Sequence, residues 1–293
     1  MEIKGIITAM ITPFDEKQEI NRQATKKLIN KLINGGVDGI FVLGTNGEFY
    51  MLSEDEKLEF AELVISEVNK RVPVYVGTGG NSTREVIKLS KEMEDLGADA
   101  LSIITPYFIA PTQKEIIKHY KAIAESVKIP IILYNNPKHT GVNLDINTVA
   151  ELSEVENILG IKDSSGKIEN IRGYIEVTKT QDFSVLSGSD SLILKALKLG
   201  ATGAIAATSN LLTEIDVSIY RNFLNGDFEA AEKAQKEIDV LRSVLRLGTV
   251  PSILKKSLEL SGIPVGPARL PVTEPDEETV KKIKEMLDYY KII

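Results

Sequence analysis

Short apolar runs alternate with longer amphipathic stretches, and the alternation is regular. Apolar runs stand at 5–11 (GIITAMI), 39–44 (GIFVLG), 73–78 (PVYVGT) and 100–105 (ALSIIT). Four more stand at 130–135 (PIILYN), 158–162 (ILGIK), 183–188 (FSVLSG) and 203–208 (GAIAAT). They are continuous rather than alternating, which suits parallel strands covered on both faces. The stretches between them carry helix signals. ATKKLINKLINGG places Leu28, Ile29, Leu32 and Ile33 on one face and stops at Gly35–Gly36. Ser53…Glu56, Ser82…Glu85 and Thr112…Glu115 each match the capping box that opens a helix. The entries GGVDGIFV, LGADALSI and LGATGAIA resemble one another, a weak internal repeat of a βα unit.

Eight such units predict an α/β protein with a (β/α)8 TIM barrel over residues 1–225. An open doubly wound sheet fits the same pattern, because periodicity does not report closure. Residues 226–293 hold no clear strand. EAAEKAQKEIDVLRSVLRL and EETVKKIKEML read as helices, and no Ser/Gly-rich linker precedes them. A C-terminal helical extension packed on the barrel is expected.

Composition narrows the chemistry. The 293 residues are 43% hydrophobic, enough for a large core. The net charge of −7 argues against nucleic acid or an anionic membrane as partner. With no cysteine there is no disulfide, thiolate nucleophile or Cys-ligated metal. Two histidines, His119 and His139, exclude a His-rich metal site, and no clustered carboxylates suggest another. The usual glycine-rich nucleotide loops are missing. The N-terminal stretch lacks signal-peptide features and no run is long enough to span a bilayer, so a cytoplasmic protein is expected.

In a closed barrel the chemistry sits at the C-terminal ends of the strands. There the sequence places GTNGEF (44–49), TPYF (105–108), Tyr134, Lys162, SGSDS (187–191) and IAATSN. Lys162 stands out, because it ends an otherwise apolar run. Ringed by apolar wall, an ammonium is disfavoured, and a neutral amine there is a nucleophile suited to Schiff-base formation with a carbonyl. Tyr134, one strand away, is placed to relay a proton. The Thr45 hydroxyl and the amides of Gly44–Gly47 are placed to hold a carboxylate. The residues alone leave plainer readings open: a lysine turned to solvent, a core tyrosine, and Asp190 as a turn residue.

GIITAMITPF, GTNGE, TPYF, YNNPKHTG, GIKDSSG and SGSD, in that order, resemble a known family over essentially the whole chain. These are the Schiff-base (class I) aldolases and lyases typified by dihydrodipicolinate synthase and N-acetylneuraminate lyase. The resemblance implies a barrel with a C-terminal helical extension and a homotetramer, a dimer of dimers. It implies no metal and no cofactor beyond the covalent lysine Schiff base with pyruvate. Lys162 would be the Schiff-base lysine and Tyr134 the proton relay, with Tyr107 in a loop that members insert into a neighbour's site. Thr45 would bind the pyruvate carboxylate, and Asn46, Gly47, His139, Gly188, Asp190, Ile205 and Thr208 would complete the substrate site.

Three departures bear on the substrate. Asn46 stands where the synthases have a second threonine, and Phe108 replaces a relay tyrosine. His139 replaces the arginine that binds the aldehyde's carboxylate. Together they argue against condensation of pyruvate with aspartate semialdehyde. LSGSDSLILKALKLGATGAIAATSNLL, in turn, is similar to the matching stretch of 2-keto-3-deoxygluconate aldolases. There Asp190, Thr208 and Ser209 offer hydrogen bonds to a polyhydroxylated chain, although Phe108 departs from that subgroup too. The expected activity is reversible cleavage of a 4-hydroxy-2-oxo acid, of the 2-keto-3-deoxy sugar acid type, into pyruvate and an aldehyde. The alternatives are 4-hydroxy-tetrahydrodipicolinate synthase, N-acetylneuraminate lyase and 4-hydroxy-2-oxoglutarate aldolase. Phe108 also permits a non-catalytic 2-oxo acid binder.

Overall fold

Eight parallel strands close on one another in chain order in the computed structural model, which describes residues 2–293. They are β1 Gly5–Ala9, β2 Gly39–Val42, β3 Val74–Gly77, β4 Ala100–Ile104, β5 Ile131–Asn135, β6 Ile158–Asp163, β7 Ser184–Ser187 and β8 Gly203–Ala206. Ile7 of β1 registers with Gly39 on one side and Ile205 on the other, which closes the ring and removes the open-sheet alternative. Each expected run holds a strand. Most strands end a residue or two early, where the run turns into the loop at the barrel mouth.

Every strand residue is buried except the half-buried Leu159, as continuous apolar runs require. Side chains of one parity fill the barrel: Ile7, Phe41, Tyr75, Ile132, Leu186 and Ile205 form its interior cluster. The other parity, with Ile40, Val76, Leu101, Leu133 and Ile161, packs under the helices. Ile132 registers with Gly160, and two residues on Tyr134 registers with Lys162. Tyr134 and Lys162 therefore share the inward parity, at the top of the filled interior.

The helix Arg22–Asn34 buries Leu28, Ile29 and Leu32 and stops at Gly35. Each such fully buried side chain contributes about 1.5–3 kcal/mol over its exposed state. Complete capping boxes form at Ser53 and Thr112. At Ser82 only half forms: the hydroxyl accepts from the Glu85 N–H, and the Glu85 carboxylate does not return.

After β8 the helix Thr213–Leu224 is followed by Phe228–Glu237, Asp239–Leu245, Ser252–Leu260 and Glu277–Tyr289. The helix expected over EAAEKAQKEIDVLRSVLRL is two, broken at the buried Ile238. Ser252–Leu260 gives little sign of itself in the sequence. Its buried face mixes Ile253, Leu254 and Leu258 with Lys255 and Ser257, so the apolar periodicity is interrupted. Among the described residues no helix is long and apolar enough to cross a membrane.

Candidate active site

Lys162 does not turn to solvent. Strand β6 sets it between Tyr134 of β5 and Leu186 of β7, and it is 3% exposed. Its Nζ lies 4.2 Å from the centroid of the Tyr134 ring and 4.8 Å from that of Phe41. Those two rings meet edge to face, 6.3 Å apart at 89°, and form a fixed aromatic wall. Gly188 makes room for the lysine's stem. A Cβ on Gly188 would collide with the Ser164 hydroxyl and stand 3.0 Å from both Cγ and Cε of Lys162.

The Tyr134 hydroxyl lies 3.2 Å from Thr45 Oγ1 and accepts from Asn136 Nδ2 at 3.1 Å. Burial alone would push this phenol up. The Lys162 ammonium and the side chains of Thr45, Ser164 and Asn136 outweigh burial, and the phenol titrates below its ordinary value. An acidified phenol beside an amine on the neighbouring strand is suited to shuttling a proton. The loop that presents Thr45 is pinned where the Thr12 hydroxyl donates to the Gly47 carbonyl at 2.7 Å.

A cavity of about 180 Å³ lies over Lys162, with Thr45, Asn46, Tyr134, His139, Gly188 and Ile205 in its wall. Thr45, Lys138, His139 and Val250 also line a wider cavity of about 530 Å³, which Tyr107 and Phe49 help to form. The Tyr107 ring is half-buried, edge-on to Phe49 at 6.2 Å, and it lines only the wider cavity.

Some of the expected residues are held away from the cavity. The Asp190 carboxylate accepts from the amides of Ala207 and Thr208 at 3.1 and 3.3 Å. The Thr208 hydroxyl donates to Asp216 at 2.7 Å, and the Ser209 hydroxyl donates to Thr8 and to the Ala206 carbonyl. Thr208 and Ser209 are buried and Asp190 half-buried, and such polar groups take internal partners, so here they hold the turn after β8 and line neither cavity. Gly47 likewise serves the loop and lines neither cavity.

Six wall residues escaped the sequence reading: the small Ala9 and Ala207, and Asn136, Lys138, Ser164 and Val250. Asn136 and Lys138 lie within YNNPKHTG and Ser164 within GIKDSSG, so the motifs held the signal without marking the residues. Val250 belongs to the C-terminal extension and gave none. The short helix Pro137–Thr140, ended by Gly141 at φ 73°, brings Lys138 and His139 to the wall together. Burial first, and the neighbouring Lys138 second, lower the His139 pKa. The imidazole is therefore held towards its neutral form, and Lys138 stands beside it on the same wall.

Known proteins share both sequence and fold. A sequence model of the dihydrodipicolinate synthetase family matches residues 2–289. The 4-hydroxy-tetrahydrodipicolinate synthase 1 of Halalkalibacterium halodurans is 41% identical over 284 residues, 97% of this chain and 96% of its own. The 4-hydroxy-tetrahydrodipicolinate synthase of Methanopyrus kandleri is 39% identical over 288 residues, 98% of this chain and 96% of its own. Among solved structures, the dihydrodipicolinate synthase of Thermotoga maritima has a TM-score of 0.96 at 32% identity and covers 100% of both chains. YagE, a prophage protein of the dihydrodipicolinic acid synthase family from E. coli K12 solved with pyruvate, has a TM-score of 0.95 at 32% identity, covering 99% of each chain.

Proposed function

The chain belongs to the dihydrodipicolinate synthetase family, and on that premise we propose that it condenses pyruvate with aspartate semialdehyde on Lys162. As a member it is an enzyme of the Schiff-base lyase and aldolase type, which works through a lysine adduct of pyruvate and needs no external cofactor. The observation that carries the reading is the amine of Lys162 seated on the faces of Phe41 and Tyr134, with the Tyr134 hydroxyl held by Thr45.

In this reading Nζ of Lys162 attacks C2 of pyruvate, and Tyr134 delivers the proton with which the carbonyl oxygen leaves as water. Thr45 holds the carboxylate and so fixes C3 relative to the iminium. Loss of a C3 proton gives the enamine, with the iminium as electron sink. C3 of the enamine then attacks the aldehyde carbon, and the resulting alkoxide takes a proton from the relay. The amino group of the semialdehyde adds to C2 and expels Lys162, which closes the ring and frees the amine for another turnover.

The choice of acceptor reverses the reading made from the sequence. The relatives are named as synthases, which supports the condensing alternative better than sugar-acid cleavage. The hydroxyl-binding set proposed for a sugar acid is tied up internally. Lys138, on the wall shared by both cavities, offers an amine with three donors where His139 offers a single imidazole. The β4 loop adds a second element. Phe108 is 91% exposed and Ile109 75%, an apolar tip suited to insertion into a neighbouring subunit of a homotetramer.

The test compares kcat/KM for aspartate semialdehyde and glyceraldehyde, each with pyruvate. The semialdehyde is expected to be the better acceptor. Lys138→Gln should lower its kcat/KM about ten- to a hundredfold, the loss of a charge-assisted hydrogen bond, and leave glyceraldehyde unaffected. A wild type that prefers glyceraldehyde would return the enzyme to sugar-acid cleavage.

A further inference from the structure

Glu48 closes the GTNGE motif, and its side chain is fully buried. The residue sits at φ 55°, a conformation that side-chain-bearing residues keep only where the surroundings hold them. Its carboxylate meets Lys255 Nζ at 2.6 Å, each side chain 1% exposed. The other carboxylate oxygen accepts from the Arg269 N–H at 2.9 Å. Lys255 also donates to the Pro267 carbonyl at 3.0 Å and lies 4.0 Å from the centroid of the Phe14 ring. The Arg269 guanidinium, 4.5 Å from the same centroid, pairs with Glu56 in the first turn of the next helix.

A dry ion pair is a poor way to gain stability, because two desolvated charges often do no better than apolar side chains of the same shape. Its position is more informative. The Glu48 N–H donates to the Thr45 carbonyl at 3.2 Å and the Phe49 N–H to the Gly44 carbonyl at 3.4 Å, so residues 44–49 form one hydrogen-bonded turn. On the other side, the Lys255 N–H donates to the Pro251 carbonyl at 2.9 Å, which places the lysine one helical turn after the residue that follows Val250. Thr45 and Val250 stand in the walls of the same two cavities. One contact thus fixes the Thr45 turn against the C-terminal extension.

We propose that Glu48 and Lys255 are positioning residues for the pyruvate site, holding the Thr45 hydroxyl in register with Tyr134 by locking the GTNGE turn to the helix Ser252–Leu260. This rests on the pyruvate reading of Lys162 and Thr45 given above. Neither residue touches substrate. The pair acts through the turn, and it gives the C-terminal helices a part in substrate binding.

The experiment uses the full chain and the double variant Glu48→Gln/Lys255→Met, which removes both charges, keeps an acceptor for the Arg269 amide and fills the lysine's space. Lys255→Met alone is the harsher companion. The readouts are melting temperature, KM for pyruvate, kcat, and the pyruvate concentration that gives half-maximal borohydride trapping on Lys162. Misplacement of Thr45 should raise KM and the half-trapping concentration about ten- to a hundredfold in the double variant, with the fold retained. A lower melting temperature with both pyruvate readouts at wild-type values would make the pair merely structural and overturn the proposal. Absence of trapping in the wild type would instead count against the Schiff-base reading itself.

Discussion

Gly188→Ala tests whether the seat of Lys162 is as tight as the geometry requires. The added methyl would collide with the Ser164 hydroxyl and lie 3.0 Å from Cγ and Cε of the lysine. Ser164 can rotate away, at the loss of the hydrogen bond it donates to the Gly188 carbonyl at 3.1 Å. The lysine's stem cannot retreat so easily, because Nζ rests on two aromatic faces. To reach an ordinary carbon–carbon separation of about 3.5–4.0 Å the stem must shift by roughly 0.5–1 Å. Overpacking of this kind costs about 1–3 kcal/mol of stability. A displacement approaching 1 Å at the nucleophile costs up to about a hundredfold in rate. The expected result is a kcat/KM for pyruvate reduced about ten- to a hundredfold while thermal denaturation remains cooperative. Removing the collision with Ser164 in Gly188→Ala/Ser164→Gly should recover only part of the stability and none of the rate, since the contacts to Lys162 persist. A single variant with wild-type kinetics would refute the tight-seat reasoning.

Tyr134→Phe keeps the ring under Lys162 and removes the hydroxyl proposed as the relay. Turnover should fall about 10²–10⁴-fold with the fold intact, and kcat within threefold of wild type would exclude Tyr134 as the relay. Acid stability offers a separate check on the Glu56–Arg269 pair. The Arg269 side chain holds the Glu56 carboxyl down to about 2. A depressed carboxyl contributes stability that is present above its ordinary range near 4.5 and lost as pH falls towards about 2. After discounting for solvent screening the contribution is about 1 kcal/mol or less. Urea denaturation between pH 5 and 2.5 should therefore show Glu56→Gln losing less stability over that window than wild type, and parallel curves would contradict the assignment.

The barrel was legible because parallel strands are buried on both faces, so each wrote an unbroken apolar run into the sequence. Lys162 was legible for the complementary reason, as the one cation at the end of such a run. Side-chain direction in the loops was not. Asp190, Thr208 and Ser209 have the chemistry to bind sugar hydroxyls, and nothing in their order shows that neighbouring amides, Asp216 and Thr8 already take them. Lys138 is the converse. A lysine after a proline reads as a solvated loop residue, and only the short helix Pro137–Thr140 sets it on the cavity wall. Lys255 hid inside the helix Ser252–Leu260, where a buried charge broke the apolar stripe by which that helix would have been recognised.

The most direct test of the central claim is covalent. The protein is incubated with pyruvate and borohydride, digested, and mapped by mass spectrometry. The Schiff-base account predicts a reduced pyruvate adduct on Lys162, and neither adduct nor turnover in Lys162→Met with its fold retained. An adduct on a different lysine, or full activity without any adduct, would contradict it.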